Sequence, residues 1–296
     1  MFLNDFTYHN PATLEEACRI LEQCNNGALI AGGTDVLVEI KKGLRHNDDI
    51  ISLANLNELK LINVTPQSLI IGACATHNDV LKSPLIKKWF PALSEAASKI
   101  GTDQIRNTGT IGGNICTGAS CCDMAPILIA LDANAEITGL ANTRLVSLRD
   151  FFIFHKETDL KKGEIMTKII IDLPANGFGA SFEKFGLREA ASISVASVSV
   201  SISSDGDACT KSCVVIGAVA PTSRISHNAI EVLNGKKIDE LVNNSSLIKS
   251  IGEAAVKDAL PIDDLRGSAE YRRNLVNSLT QRAIKIAAMR SIESYK

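Results

Sequence analysis

Two glycine-paired stretches carry the strongest chemical signal in this 296-residue sequence: Leu29-Ile30-Ala31-Gly32-Gly33-Thr34-Asp35-Val36 and Thr110-Ile111-Gly112-Gly113-Asn114. Adjacent glycines permit positive φ and remove the Cβ atoms that keep a ligand off the backbone, so consecutive N–H groups can converge on an anion. Neither stretch contains Lys or Arg. A diphosphate held there would be met by amides, by the hydroxyls of Thr34 and Thr110 and by a helix N-terminus, not by basic side chains. Neither stretch matches G-x-x-x-x-G-K-[ST], and no G-x-G-x-x-G opens a helix after the first strand. A single Gly-Gly turn can be a plain connector. Two of them, the second inside a long polar stretch, favour ligand binding.

The elements that must position these stretches follow from periodicity and capping. Thr13 and Glu16 have capping-box spacing ahead of an amphipathic helix from Leu14 to about Cys24. Ala28 to Ala31 is a short strand leading into the first glycine turn and a brief helix that Gly43 can end. Strands are expected at Ile50 to Leu53 and Ser68 to Cys74, a capped helix from Thr76 to about Lys82, and a helix from Pro91 to Ile100. From Gly101 to Asp123 no periodicity is sustained, which predicts a long functional loop. A buried helix at Met124 to Leu131 and strands at Ala135 to Thr138 and Glu164 to Leu173 follow.

Beyond Pro174 the texture changes to strands at Ser181 to Gly186, Ile193 to Ser201 and Cys213 to Ala220. Their alternation suggests a half-exposed antiparallel sheet. Helices near 228–233, 238–259 and 269–291 complete a separate α+β unit. The fold class is therefore α+β. The boundary between the two units is expected near 174–178.

Composition narrows the function. Lys and Arg number 31 against 33 Asp and Glu, a net charge of −2, so no basic excess is available for nucleic acid. No apolar run approaches the roughly 20 residues of a membrane span. The opening MFLNDFTYHN lacks a secretory layout, so a cytoplasmic protein is expected. The eight cysteines include no paired C-x-x-C units, and they are expected to pack as reduced thiols with no metal bound.

Other candidates are weaker. His155 is a surface histidine or a group approaching a ligand from a mobile loop, and Arg106 positions the glycine loop or steers an anion. Arg266, Arg272 and Arg273 form a partner contact or a solvated face. None has nucleophile-and-base spacing, so no catalytic side chain is assigned.

The ordered series Ala31-Gly32-Gly33-Thr34-Asp35, Gln104-Ile105-Arg106-Asn107, Thr110-Ile111-Gly112-Gly113-Asn114-Ile115 and Asp123 resembles the FAD-binding subunit of molybdenum hydroxylases, the xanthine, nicotinate and carbon monoxide dehydrogenase type. The resemblance runs the length of the chain. It implies a two-lobed FAD-binding domain (PCMH-type), with a first lobe over residues 1–57 and a second over 58–176, followed by a C-terminal α+β domain over 177–296 with an antiparallel sheet and helices. It also implies that Leu29 to Val36 and Thr110 to Asn114 wrap the FAD diphosphate, with Gly101, Thr117, Asp123, Ile165, Met166 and Lys184 along the rest of the cofactor. Asp123 would accept hydrogen bonds from ribityl or ribose hydroxyls, and it is also placed to cap the following helix. Lys184, read alone, is equally a solvated strand residue.

By the same resemblance, the molybdenum cofactor and two iron–sulfur clusters belong to partner subunits, and electrons pass through the flavin to NAD(P) or another acceptor. An N-heterocycle of nicotinate or xanthine type would be hydroxylated elsewhere in the complex. No cysteine-rich insertion interrupts 138–164, so no cluster is expected in this chain. A self-contained flavin oxidase or reductase and a non-catalytic nucleotide-binding module are the rival readings.

Overall fold

The computed structural model describes residues 5–295. Its first sheet is parallel, with Asp49–Ser52 lying between Thr7–His9 and Gly27–Ile30. Parallel neighbours need crossovers. Helices Leu14–Gln23 and Val36–Lys41 supply them. The Thr13 hydroxyl accepts from the Glu16 amide at the start of the first helix, and Gly43, at φ +70°, follows the end of the second.

The second sheet is antiparallel, in the order Ile62–Val64, Ser68–Gly72, Ile165–Asp172, Asn134–Thr138, Thr143–Ser147. Its central strand therefore arrives from far along the chain. The segment between is folded into helices His77–Lys82, Pro84–Trp89, Pro91–Ser98, Asp103–Thr108, Ile111–Thr117 and Met124–Ala130. Thr76 and Asp79 form a complete capping box. The long loop expected from 101 to 123 is corrected: it holds two short helices, capped by the hydroxyls of Thr102 and Thr110. At six and seven residues neither is long enough to show a helical repeat, and glycine at 112 and 113 masks the second.

The third sheet, Phe178–Gly186, Ser194–Ser204, Cys209–Gly217 and Arg224–Ile225, is antiparallel. It is buried on both faces, which corrects the half-exposed expectation. Val198, Val200 and Ile202 join Val276, Leu279 and Ala283 of helix Ala269–Glu293 in one core. On the opposite face Ser199 and Ser201 are buried, and the Ser201 hydroxyl donates to the Ala130 carbonyl at 2.7 Å. Serine is small enough for helix Met124–Ala130 to lie against the strands, so polar residues in an alternating pattern do not mark solvent here. The helix expected over 238–259 is two, Ile238–Asn243 and Ser245–Lys257, with Asn244 capping the second.

The molecule is thus a two-domain α+β protein. Its largest core joins the second sheet and helix Met124–Ala130 to Ala180, Phe182, Cys213 and Val215 of the third.

Candidate functional site

A cavity of about 770 Å³ opens between the first and second sheets, within the range of small-molecule sites. The strand Gly27–Ile30 delivers the first glycine turn to one wall and helix Ile111–Thr117 forms another. Of the residues singled out from sequence, Leu29, Ala31, Gly32, Gly33, Thr34, Asp35, Val36, Gly101, Thr110, Gly112, Gly113, Asn114, Thr117, Asp123, Ile165 and Met166 line this cavity. Ile30, Ile111 and Lys184 do not. Ile111 is fully buried in the main core, and Ile30 packs with the cluster of Ala28, Ile40 and Ile50.

The two glycine pairs do different work. In the first, Gly33 is at φ +69°, a conformation that favours glycine. A Cβ on Gly32 would fall 1.9 Å from the Thr108 carbonyl oxygen, so this turn touches the end of helix Asp103–Thr108 through bare backbone. The amides of Gly32, Gly33, Thr34 and Asp35 donate to no group among the described residues. They remain available to an anion.

In the second pair neither glycine has positive φ; both sit in the first turn of a helix. The amides of Ile111, Gly112 and Asn114 are spent on Ala75, Ala73 and Thr110 carbonyls, and that of Gly113 on the Thr110 hydroxyl. A Cβ on Gly112 would meet Ala73 atoms at 2.6 Å, whereas one on Gly113 would meet the Thr110 hydroxyl at 2.8 Å and otherwise open space. Gly112 therefore serves packing, and Gly113 keeps the cavity wall flat.

Asp123 lies at the helix N-terminus, but its side chain makes no capping bond. Its carboxylate instead accepts from Lys184 Nζ and from the Ser194 hydroxyl, each at 2.5 Å. Burial pushes the Asp123 carboxyl up from its ordinary value, and the ammonium and the two hydrogen bonds oppose that shift. Lys184 also donates to the Lys99 carbonyl at 2.9 Å and is almost fully buried, so it is no solvated strand residue.

Several lining residues had no sequence signal. His77 is 2% exposed, its Nδ1 lacks a partner, and burial together with the Arg106 cation lowers it to about 4, keeping the ring neutral. The segment Leu160 to Glu164 and the loop residues Ala191, Ser192 and Ile193 also line the cavity. Basic side chains do reach its wall, as Arg45, Lys161 and Lys162, though none comes from a glycine turn. Cys74 and Cys116 line it as well, and burial raises their thiols to about 11 and about 12, so neither is a nucleophile near neutrality.

The remaining candidates are structural. Arg106 donates to the carbonyls of Ser98 and Ile100 and so fixes the approach to Gly101. His155 bonds Ser120 at 2.8 Å away from the cavity, and buried Arg272 donates to Ala218 O and pairs with Asp264.

Residues 4–174 match the family model for the FAD binding domain in molybdopterin dehydrogenase, and residues 180–287 match that for the CO dehydrogenase flavoprotein C-terminal domain. This chain is an FAD-binding subunit of the molybdenum hydroxylase family. It is 31% identical over 288 residues to the glyceraldehyde dehydrogenase medium chain of Sulfolobus acidocaldarius, covering 97% of this chain and 100% of the relative. It is 38% identical over 198 residues to the nicotinate dehydrogenase FAD-subunit of Eubacterium barkeri, covering 65% and 67%. Among solved structures, the carbon monoxide dehydrogenase of Hydrogenophaga pseudoflava superposes with a TM-score of 0.93 at 29% identity, over 98% of this chain and 99% of that one.

The family makes the chain part of an oxidoreductase complex with iron–sulfur and molybdenum-cofactor subunits. FAD fits the cavity on its own evidence: four unpartnered consecutive amides suit a diphosphate, and the Cβ-free wall at Gly113 admits a close ligand. Among the described residues no helix is long and apolar enough to cross a membrane.

Proposed function

We propose that this subunit takes electrons from iron–sulfur clusters in a partner and delivers them to NAD(P) or a similar soluble acceptor, serving a complex that hydroxylates an N-heterocycle. The observation that carries this reading is the cavity between the two sheets, whose first glycine turn offers consecutive free amides. Bound FAD supplies the redox chemistry that couples one-electron clusters to a two-electron acceptor.

The chain's own residues bind and orient it. Gly32 to Asp35 hold the diphosphate through their amides, and Thr34 and Thr110 present hydroxyls. Gly113 and Asn114 form the wall, with Gly101, Thr117, Ile165 and Met166 completing the enclosure. Asp123 and Lys184 act as a pair that fixes the end nearest the third sheet. On this reading residues 1–57 and 58–176 are the two lobes around the flavin, and 177–296 the domain behind them.

Nicotinate or a xanthine-type purine is the substrate class we favour, supported by the 38% identity to the nicotinate dehydrogenase FAD-subunit. A cytoplasmic setting suits the eight free cysteines. The test is reduction of the purified complex by nicotinate, xanthine, glyceraldehyde or carbon monoxide, followed by flavin reoxidation with NAD, NADP or an artificial acceptor. Reduction by an N-heterocycle and reoxidation by a nicotinamide nucleotide are expected. Reduction by glyceraldehyde alone, or reoxidation by neither nucleotide, would overturn the finer assignment.

A further inference from the structure

Three metal-ligating side chains converge on the parallel sheet, at the margin of the cavity that one of them, Cys24, also lines. His9 ends the edge strand Thr7–His9, Cys24 follows helix Leu14–Gln23, and Asp49 begins the central strand Asp49–Ser52. Their Nε2, Sγ and carboxylate oxygen all lie within 4.8 Å of one another. Among the described residues no other group of three His, Cys, Asp or Glu side chains meets that spacing. The imidazole Nε2 is 2.7 Å from Asp49 Oδ1, and the Cys24 Sγ lies within 4.8 Å of both.

We propose that His9, Cys24 and Asp49 form a zinc-type divalent cation site. One sulfur, one nitrogen and one oxygen donor suit a borderline-soft ion and disfavour Mg²⁺ or Ca²⁺, which take oxygen ligands. Tetrahedral zinc with these donors sets ligand atoms roughly 3.3–3.8 Å apart, inside the 4.8 Å that spans the three here. The His9 and Asp49 side chains retain 26% and 23% exposure, which leaves an entry path and a fourth position for water.

Binding is balanced in protons and charge. Cys24 releases its thiol proton to solvent and ligates as thiolate, His9 offers the Nε2 lone pair with its proton on Nδ1, and Asp49 ligates as carboxylate. The dication then meets two negative charges. The edge strand pairs with the sheet through Thr7, Tyr8 and His9, and the ion also ties that strand to the sheet's centre.

The test uses the full chain with FAD bound, titrated with Zn²⁺ against a chromophoric chelator and separately with Co²⁺. We expect one equivalent of Zn²⁺, and a thiolate-to-cobalt charge-transfer band with the intense d–d bands of four-coordination. Cys24→Ser should abolish the charge-transfer band and weaken Zn²⁺ binding by about tenfold or more. His9→Gln should weaken it similarly and remove any rise in melting temperature caused by zinc, while Cys209→Ser should bind as the wild type does. Absence of saturable binding, or unchanged affinity in His9→Gln, would overturn the site and leave a His9–Asp49 pair beside a free thiol. His9 lies on a half-exposed edge, so its variant decides the question even where Cys24→Ser does not fold.

Discussion

At residue scale the two neighbouring glycines of the second pair separate packing from binding. Gly112→Ala puts a methyl into Ala73 and should cost about 1–3 kcal/mol of stability, read as a lower melting temperature. Gly113→Val should keep most of the stability and lose FAD, read as the flavin-to-protein ratio after gel filtration. A folded Gly113→Val chain with full flavin content would refute the wall assignment. Lys184 and Asp123 are a buried pair, so Lys184→Met should cost about 3–5 kcal/mol by stranding the carboxylate, and Asp123→Asn with Lys184→Met together should recover part of it. Urea unfolding of the single and double variants measures the coupling.

His77 adds a pH dependence whose sign is fixed. Its folded value of about 4 lies below the ordinary 6.5, so between those values the unfolded chain binds a proton that the folded chain does not. Stability should fall as pH drops through that window, by on the order of 2–3 kcal/mol, and His77→Asn should flatten the slope. Urea midpoints at about pH 7 and about pH 4.5 compare the two chains.

At the scale of elements, the sheet of the C-terminal domain is held by close approach on its serine face. Ser199 is fully buried and its hydroxyl has no partner. Ser199→Ala should therefore be neutral or up to about 1 kcal/mol stabilising, whereas Ser199→Leu should lose about 1–3 kcal/mol by prising helix Met124–Ala130 from the strands. Thermal melts of both variants check this. The alternation of Val and Ser from 198 to 202 was legible as a strand. What the serines faced was not, because period two reports two faces and not what covers each. Capping was more informative: Thr13, Thr76 and Thr110 each accept the amide three residues on, where side-chain chemistry is local.

At the scale of the whole molecule, one core spans the FAD-binding half and the third sheet through Phe182, Cys213 and Val215. The Arg290 guanidinium reinforces it by pairing with Glu95 across the two halves. We expect one cooperative calorimetric transition, with flavin fluorescence rising at the same temperature. Two resolved transitions would show that the halves unfold independently.

The sequence by itself determined the family, the order of most elements, and the part of the cavity wall that rests on local backbone needs, such as positive φ at Gly33 and a capped helix start at Thr110. Only the tertiary structure decided which amides are free, that Asp123 is joined to Lys184 from another domain, and that His77, Leu160 to Glu164 and Ala191 to Ile193 enclose the site. Those facts depend on contacts between distant segments, whose partners no local spacing records. The burial that keeps His77 neutral and the convergence of His9, Cys24 and Asp49 have the same origin.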